Sequence, residues 1–586
     1  MQHEHASIVR LVHGWFAVMI AVTMIAVWGI GSSALAWERP HSDGNNSGFA
    51  DVKTKPAGAG SVSVPNIGTF AAAAGPVVAR DGTVYLGNQE GEVIALHADG
   101  KPYWRRSITP GQSIVASPVI GADGMVYVIG IDTYTDNDVT PPVQRTNSTL
   151  HRFTASGGWL GGTPFPEHVG RGAAGAAPNI WNYQGTEVIL EPVVYNHNLG
   201  GGYDTRLIAF STSGAVIADT IVATFISTAT GGMGWTTDNK YGCLVPPNFV
   251  CFLGIAGGEF GSSTGRVIPP PPSVAVFTFA GGGTPFIVVS DHWKDVVGYT
   301  LSLQSLSGIE FIETFRVHDD NHYMRSSPVV LPDGHTIIGV EGIKRDDDGG
   351  EHPWQGGVIF AGPNMNRLPP NTDPGTTYAT PTRLADGRLV LIGGDGTAMS
   401  VLQGNQIDVS TRLPGRSIVS AAASRNHFFI SAADAFLTYD ANTLSEVGRV
   451  DWVGGGLNPP AIGPKGYVYA IASNILFVFP APNSRLTDAG LVPPPQAEIT
   501  ALPAAQAYSP PMTTNGNRLF ACLELDGDDC GKGDYTQVSL GWCQKQGFAK
   551  VTGYDVDSRK VKAETLDGHF CSKNKCKVFD SIGCAN

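Results

Sequence analysis

The stretch that decides the fold is AGPVVARDGTVYLGNQEGEVIALHADGKPYW, from Ala74 to Trp104. Its short apolar runs predict strands at Pro76 to Val78, Val84 to Leu86 and Val93 to Leu96. The Asp81-Gly82 pair between the first two runs is typical of a tight turn. Apolar runs this short, joined by turns of this kind, predict an antiparallel meander.

The same pattern recurs along the chain, and the clearest further copies are SPVIGADGMVYVIG from Ser117 and ATPTRLADGRLVLIGGDGTAMSVL from Ala379. Further copies begin near five positions, Ala177, Pro272, Ser326, Ala421 and Pro459, and those at Ala177, Pro272 and Ala421 are diverged. Blades of four strands take about 40–50 residues, which fits the spacing of the opening prolines. The interval from Val216 to Pro269 is either an insertion loop or an unrecognised blade. We therefore predict eight blades, with seven and nine as alternatives.

Stacking explains why such units should close into a ring. Each unit is a small twisted sheet whose apolar faces cannot be buried alone, and a ring leaves no unprotected end. The composition agrees, because 74 Gly, 40 Pro and only 15% charged residues suit many short strands and turns. The predicted fold class is all-β: a β-propeller of eight blades over residues 70–482, preceded by an extension at 37–69.

The N-terminus predicts export. Arg10 precedes an apolar stretch from Trp15 to Ile30, and Ala34 to Ala36 resembles a signal-peptidase site. We expect cleavage before Trp37, no membrane span afterwards, and a periplasmic or secreted product; an uncleaved anchor is the alternative. The formal charge of −13 repels phosphate backbones and argues against nucleic acid as a partner.

A Pro/Ala-rich linker is predicted at 483–516, and a small α+β domain rich in disulfides at 517–586. The sequence TQVSLGWCQKQ from Thr536 predicts a short helix with Val538, Trp542 and Cys543 on one face. Eight cysteines in an exported chain predict disulfides, and six of them fall in the tail, with no spacing typical of zinc ligands. The eight are Cys243, Cys251, Cys522, Cys530, Cys543, Cys571, Cys576 and Cys584. Their pairing stays open.

The pattern GxVYxGxxxGxVxALxADGxxxW, from Gly82 to Trp104, resembles the quinoprotein-type (PQQ-repeat) propeller family. That family includes quinoprotein dehydrogenases and the propeller lipoprotein of outer-membrane assembly. The resemblance covers roughly Phe70 to Pro480 and implies a propeller. It also implies, as an alternative, PQQ and calcium at the propeller axis. No residue here maps onto a cofactor role, the vicinal cysteine pair is missing, and Trp104 is expected to pack against the next blade.

Three polar clusters are the candidate metal ligands. His318 to His322 and the group Asp346 to Asp348 with Glu351 and His352 are expected to be solvated loops. In the tail, four acids offer oxygen ligands at close spacing without the EF-hand pattern: Asp526, Asp528, Asp529 and Asp534.

The repeats carry no P-loop and no HExxH pattern. We therefore expect a binding or scaffolding protein of the cell envelope that recognises a protein or a glycan. The alternative is a PQQ- and calcium-dependent oxidoreductase acting on an alcohol or a sugar. The sequence favours a protein that is not an enzyme.

Overall fold

The computed structural model describes much of the ring and part of the tail. The described ranges are 37–58, 60–136, 143–166, 172–173, 176–183, 185–196, 203–225, 273–278, 285–290, 295–302, 310–318, 322–324, 326–345, 351–353, 357–361, 367–368, 377, 379–393, 396–403, 406–482, 484, 505–508, 510–511, 518–519, 521, 535, 538–539, 542–543, 550–559, 563–564 and 576–585.

The first blades follow the predicted repeats, and a short strand precedes them, β1 (Val62–Val64). Blade 1 contains β2 (Val77–Val78), β3 (Val84–Gly87), β4 (Glu92–Leu96) and β5 (Pro102–Ser107). Blade 2 contains β6 (Ser113–Ile114), β7 (Val119–Ile120), β8 (Val126–Asp136), β9 (Val143–Phe153) and β10 (Trp159–Pro164). Blade 3 contains β11 (Gly172–Ala173), β12 (Asn179–Tyr183), β13 (Thr186–Asn196), β14 (Tyr203–Ser211) and β15 (Val216–Phe225). In each blade the chain runs from the channel outward.

The next two blades are less regular. Blade 4 contains β16 (Ala275–Phe277), β17 (Phe286–Ser290), β18 (Asp295–Ser302) and β19 (Glu310–His318). Blade 5 contains β20 (His322–Met324), β21 (Val329–Val330), β22 (Thr336–Arg345), β23 (Glu351–Pro353), β24 (Gly357–Ala361) and β25 (Arg367–Leu368). The extra strand β23 pairs with the end of β22 and forms a hairpin beyond the blade.

The last three blades complete the ring. Blade 6 contains β26 (Thr382–Arg383), β27 (Leu389–Gly393), β28 (Ala398–Gln403) and β29 (Gln406–Arg412). Blade 7 contains β30 (Ala422–Ala423), β31 (His427–Ser431), β32 (Ala435–Asp440) and β33 (Glu446–Asp451). Blade 8 contains β34 (Ala461–Ile462), β35 (Val468–Ala472) and β36 (Ile475–Phe479), and β1 supplies its outer strand. Val62 lies opposite Val478 in that pairing, so the predicted extension at 37–69 contributes a blade strand.

Apolar clusters between neighbouring blades show that the eight sheets close. Tyr85 of blade 1 and Phe153 of blade 2 share one cluster, and Phe436 of blade 7 shares another with Leu476 of blade 8 and Leu86 of blade 1. Burial of these facing side chains stabilises the ring, at about 25 cal/mol per Å² of apolar surface. The prediction of an eight-bladed propeller is confirmed.

Blades 3 and 4 are direct neighbours in the ring. Asn179 Nδ2 of β12 donates to the Val274 carbonyl at 2.8 Å, and Trp181 Nε1 donates to the Pro285 carbonyl at 3.1 Å. Since the two sheets are in direct contact, no blade separates them. Cys243 and Cys251 lie outside the described residues.

Trp104 packs as predicted. Its ring lies 5.7 Å from that of Tyr85 and 6.1 Å from that of Phe153, and its Nε1 donates to the Ala155 carbonyl at 2.8 Å. Phe153 and Ala155 belong to blade 2, so this tryptophan joins two blades and has a structural role.

The tail is a small separate set of strands: β37 (Ala505–Tyr508), β38 (Arg518–Leu519), β39 (Lys550–Arg559), β40 (Ala563–Glu564) and β41 (Cys576–Ala585). β41 pairs with both β37 and β39, so part of the predicted linker belongs to the tail sheet. Residues 535, 538–539 and 542–543 are helical, and Val538, Trp542 and Cys543 are buried as expected. Cys543 and Cys584 form a disulfide, and Cys576 is disulfide-bonded as well.

Candidate functional site

The central channel of the ring contains the chain's own residues 37–54, which we call the axial segment. At blades 1 and 2, Val78 N–H donates to the Trp37 carbonyl at 2.7 Å, and Ile120 N–H donates to the Glu38 carbonyl at 2.9 Å. At blade 3, Arg39 Nη1 donates to the Ile180 carbonyl at 2.8 Å. Trp37 itself is buried, with 3% of its surface exposed.

The segment then follows the inner strands of blades 4 to 7. Four backbone N–H groups of the wall donate to its carbonyls: Val276 to Gly44 at 2.6 Å, Val330 to Asn45 at 3.1 Å, Arg383 to Ser47 at 2.8 Å, and Ala423 to Gly48 at 2.7 Å. The inner strand of a blade pairs on one edge only, so its channel-facing groups need partners. The axial segment supplies them.

Asn46 anchors the middle of the segment. Its Nδ2 donates to the carbonyls of Val274 and Pro328, each at 3.0 Å, so one amide joins blades 4 and 5. The backbone of Asn46 is left-handed, with φ of 57°. Asparagine tolerates that conformation better than most residues.

His41 reaches across to blades 6 and 7. Its Nδ1 lies 2.7 Å from Ser420 Oγ, and its Nε2 lies 3.3 Å from Thr380 Oγ1. Burial lowers the pKa of His41 to about 4. The imidazole is therefore neutral at pH 7 and is held by two hydroxyl groups.

Arg39 and Asp43 form the charged part of the site. Burial raises the pKa of Asp43, while hydrogen bonds from the Ser47 backbone N–H and hydroxyl, and the nearby Arg39 charge, act in the opposite direction. Burial lowers the pKa of Arg39, and the charges of Asp43, Glu187 and Glu38 oppose that shift. Arg39 and Asp43 carry opposite charges in a buried place, so each one favours the charged form of the other.

The backbone of the segment is strained next to these anchors. His41 has φ of 57° and Ser42 has φ of 81°, in the left-handed region that favours glycine. Each such residue costs of order 1–3 kcal/mol, which the surrounding contacts must offset. The Ser42 hydroxyl donates to the Phe49 carbonyl at 2.7 Å and holds the two limbs of the turn together.

Two further buried polar groups lie away from the axis, in blades 3 and 2. Glu191 of β13 is fully buried, neither carboxyl oxygen has a hydrogen-bond partner in the structure as described, and burial raises its pKa well above the usual value. In blade 2, His151 Nε2 lies 2.6 Å from Gln112 Oε1, and burial lowers the pKa of His151 to about 3.

The metal candidates from the sequence are not brought together among the described residues. His318 ends β19, His322 begins β20, and Glu351 and His352 lie on β23, paired with Arg345 and Lys344. The other acids of these clusters lie outside the described residues, as do all four candidates in the tail: Asp526, Asp528, Asp529 and Asp534. Within the described ranges no three His, Cys, Asp or Glu side chains are grouped to hold a metal ion.

The position of the axial segment inside the ring was not predicted from the sequence. Its signal is the run WERPHSDGNNSGF from Trp37, where Asp, Asn, Ser and Gly are concentrated without a strand pattern. Such residues favour turns and left-handed backbone, as the structure shows at His41, Ser42 and Asn46. Nothing in the run shows that it lies inside a ring.

PQQ and calcium, which the family resemblance implies at the axis, do not fit this channel. At the level of the inner strands the axial segment occupies the centre, and its polar side chains are bonded to the wall. Arg39, His41 and Asn46 are committed to Ile180, Ser420 and Val274 respectively.

No family model and no curated protein matches the chain. Virginiamycin B lyase from Staphylococcus aureus aligns with 71% of this chain and 98% of its own, at 10% identity and a TM-score of 0.33. BBS1N, solved in complex with ARL6DN, aligns with 75% of this chain and 100% of its own, at 10% identity and a TM-score of 0.35. The Dos1 propeller aligns with 60% of this chain and 73% of its own, at 9% identity and a TM-score of 0.34. The propeller assignment rests on the closed ring of eight sheets.

Proposed function

We propose that this chain is an exported propeller that binds a protein partner through the outer strands of its ring, in the periplasm or outside the cell. The observation that carries the proposal is the position of the exposed apolar side chains. Seven large ones are exposed among the described residues, and six lie on outermost strands of blades: Tyr103, Leu160, Val216, Ile221, Ile312 and Val447.

Three of these residues lie on the neighbouring outer edges of blades 3 and 4, and together we call them the outer patch: Val216 and Ile221 on β15, and Ile312 on β19. The two strands adjoin, because Arg316 Nη1 of β19 donates to the Val222 carbonyl of β15 at 2.6 Å. Ile221 is 44% exposed and Ile312 is 49% exposed. Apolar residues concentrated at the edge of a sheet are unfavourable in a protein without a partner.

The exposed sheet edges at β15 and β19 favour a protein partner over a glycan. An outermost strand offers backbone N–H and C=O groups to an added strand, and flanking apolar side chains supply pockets for its residues. A glycan surface more often uses aromatic rings, and the outer patch contains none.

A photo-crosslinking amino acid at Ile312 or Ile221, introduced in the native host, tests this proposal. We expect one dominant crosslinked protein from both positions, and loss of it when Val216→Lys is added. The matched control is Val453, which is 83% exposed but lies outside the outermost strands. Equal crosslinking from Val453, or crosslinks to glycan alone, would contradict the proposal.

Export is tested separately, by fractionation and N-terminal sequencing. We expect the protein outside the cytoplasm with Trp37 as its first residue, following the predicted cleavage site at Ala34 to Ala36. The disulfide between Cys543 and Cys584 supports this location, because such bonds persist in oxidising compartments. A cytoplasmic product that begins at Met1 would contradict it.

A further inference from the structure

The channel wall binds the axial segment through its main chain. Six inner-strand N–H groups donate to its backbone carbonyls, at Trp37, Glu38, Gly44, Asn45, Ser47 and Gly48. Contacts to main chain do not depend on side-chain identity, so another peptide that adopts the same turns would satisfy them equally well.

Three side chains add selectivity. Arg39 donates to the Ile180 carbonyl, His41 is hydrogen-bonded to two hydroxyls, and Asn46 donates to two carbonyls. The wall groups that receive them belong to inner strands or to the residues just before them. The ligand that fits is a polar peptide that follows the same turns and carries a guanidinium, an imidazole two residues later and an amide five residues after that.

The middle of the segment has little apolar surface to hold it. Trp37, Ala50 and Val52 join the apolar cluster of blades 7, 8 and 1, but residues 38–48 contribute none of its members. Apolar burial is the main favourable term in most association, so this part of the segment depends on hydrogen bonds that a competing peptide could replace. The left-handed backbone at His41 and Ser42 weakens it further.

The segment is joined to the ring through an open stretch of chain. A Cβ added at Gly58 would meet nothing within 4 Å, and one at Gly60 would only touch Pro480 Cγ at 4.0 Å. Strand β1 begins just after, at Val62, and completes blade 8. The segment is therefore separable from the ring by a cut that leaves all eight blades intact.

We propose that the central channel is a peptide-binding site and that the axial segment is its resident, displaceable ligand, which keeps the site closed. This inference goes beyond the proposed function, which concerns the outer strands. It assigns the channel a ligand of its own, a polar peptide rich in turns.

The test uses the full-length chain with a protease recognition sequence inserted between Gly58 and Gly60. After cleavage, a fluorescent synthetic peptide of residues 37–58 is added in excess, and bound and released peptides are quantified. We expect one labelled peptide bound per chain and an equal amount of the resident segment released, with the circular dichroism of the ring unchanged.

Two peptide variants test the anchors. His41→Ala should bind about tenfold more weakly, because it removes bonds to two buried hydroxyls. Asn45→Ala is the matched control and should bind within about twofold of the parent, because Asn45 contributes its backbone carbonyl. Equal binding of both variants would contradict the assigned anchors.

Two results would overturn the proposal. One is a cleaved chain that never exchanges its segment below the unfolding temperature of the ring; the other is a ring that unfolds when the segment leaves.

If the chain with the inserted protease sequence does not fold, the uncut Arg39→Ala/His41→Ala chain takes its place. That variant should bind the labelled peptide while the wild-type chain does not, and no binding by the variant would also overturn the proposal. Crosslinks from the outer patch are unaffected by any of these outcomes.

Discussion

The imidazole Nδ1 of His41 lies 2.7 Å from the hydroxyl of Ser420, which joins the N-terminal part of the chain to the start of blade 7, 379 residues later. The same ring contacts Thr380 through Nε2. One side chain thus connects the axial segment to two blades. We therefore expect this side chain to contribute to the stability of the closed ring.

Replacing this side chain should weaken the ring. His41→Ala leaves the buried hydroxyls of Ser420 and Thr380 without this partner, so we expect a loss of about 1–3 kcal/mol in the free energy of unfolding. Urea unfolding followed by tryptophan fluorescence measures it. His97→Ala, at an exposed position of blade 1, is the control and should change little. Equal effects of the two substitutions would show that the contact with Ser420 is not stabilising.

The pH dependence of the free energy of unfolding should reflect the two buried imidazoles, His41 and His151. Burial lowers the pKa of His41 to about 4 and that of His151 to about 3, so both are neutral in the folded protein near pH 7. In the unfolded chain an ordinary histidine takes up a proton near pH 6.5. Their contribution to the free energy of unfolding is therefore complete above pH 6.5. It is lost as the pH falls toward 4 for His41 and toward 3 for His151, by at most about 1.4 kcal/mol per pH unit for each group.

The difference in stability between the wild type and His151→Gln isolates this effect. Acids such as Glu187, whose pKa is raised by burial, affect both proteins alike and cancel in that difference. We expect the stability advantage of the wild type to shrink steadily between pH 6.5 and pH 4.5. A constant difference over that interval would show that His151 keeps an ordinary pKa in the folded protein.

Glu191 should behave in the opposite way. Burial raises the pKa of its carboxyl well above the usual value, so its contribution to the free energy of unfolding is present below pH 4.5 and is lost as the pH rises through the raised value. Glu191→Leu removes a buried carboxyl that has no hydrogen-bond partner among the described residues, and we expect it to stabilise the ring at pH 7 by about 1–3 kcal/mol.

Urea unfolding at pH 4 and pH 7 measures this gain, which should be larger at pH 7. Glu446→Leu, on the exposed outer strand of blade 7, is the matched control and should be nearly neutral. Destabilisation by Glu191→Leu at both pH values would mean that the carboxyl has a structural role after all.

The disulfide of the tail should stabilise that domain alone. Cys543 and Cys584 are 41 residues apart, and closing a loop of that length is worth about 4 kcal/mol in the chain-entropy model. The Cys543→Ser/Cys584→Ser variant should therefore lose the protease resistance of the tail while the ring unfolds at an unchanged temperature. Limited proteolysis with mass spectrometry measures both. An equally resistant tail would show that the bond adds no stability.

The fold was predictable because its determinants are local. Short apolar runs with Asp-Gly turns, such as Asp81-Gly82, specify a meander wherever they recur, and Trp104 marks the seam to the next blade. The axial segment was not predictable, because its structure comes from the ring around it. Arg39 and His41 are polar residues in a turn-rich run, and only contacts with Ile180 and Ser420, more than a hundred residues away, place them inside the channel. The tail metal candidates from Asp526 to Asp534 and the proposed export stay predictions.

The central claim is that residues 37–54 fill the axis of the ring, and amide hydrogen exchange of the full-length protein tests it most directly. The backbone amides of Gly48 and Ala50 are hydrogen-bonded to His41 and Ala423, and those of Val276, Val330 and Ala423 donate to the segment. We expect both groups to exchange as slowly as the central strands of their blades. Exchange of residues 37–54 within seconds, while the blades stay protected, would contradict a filled axis.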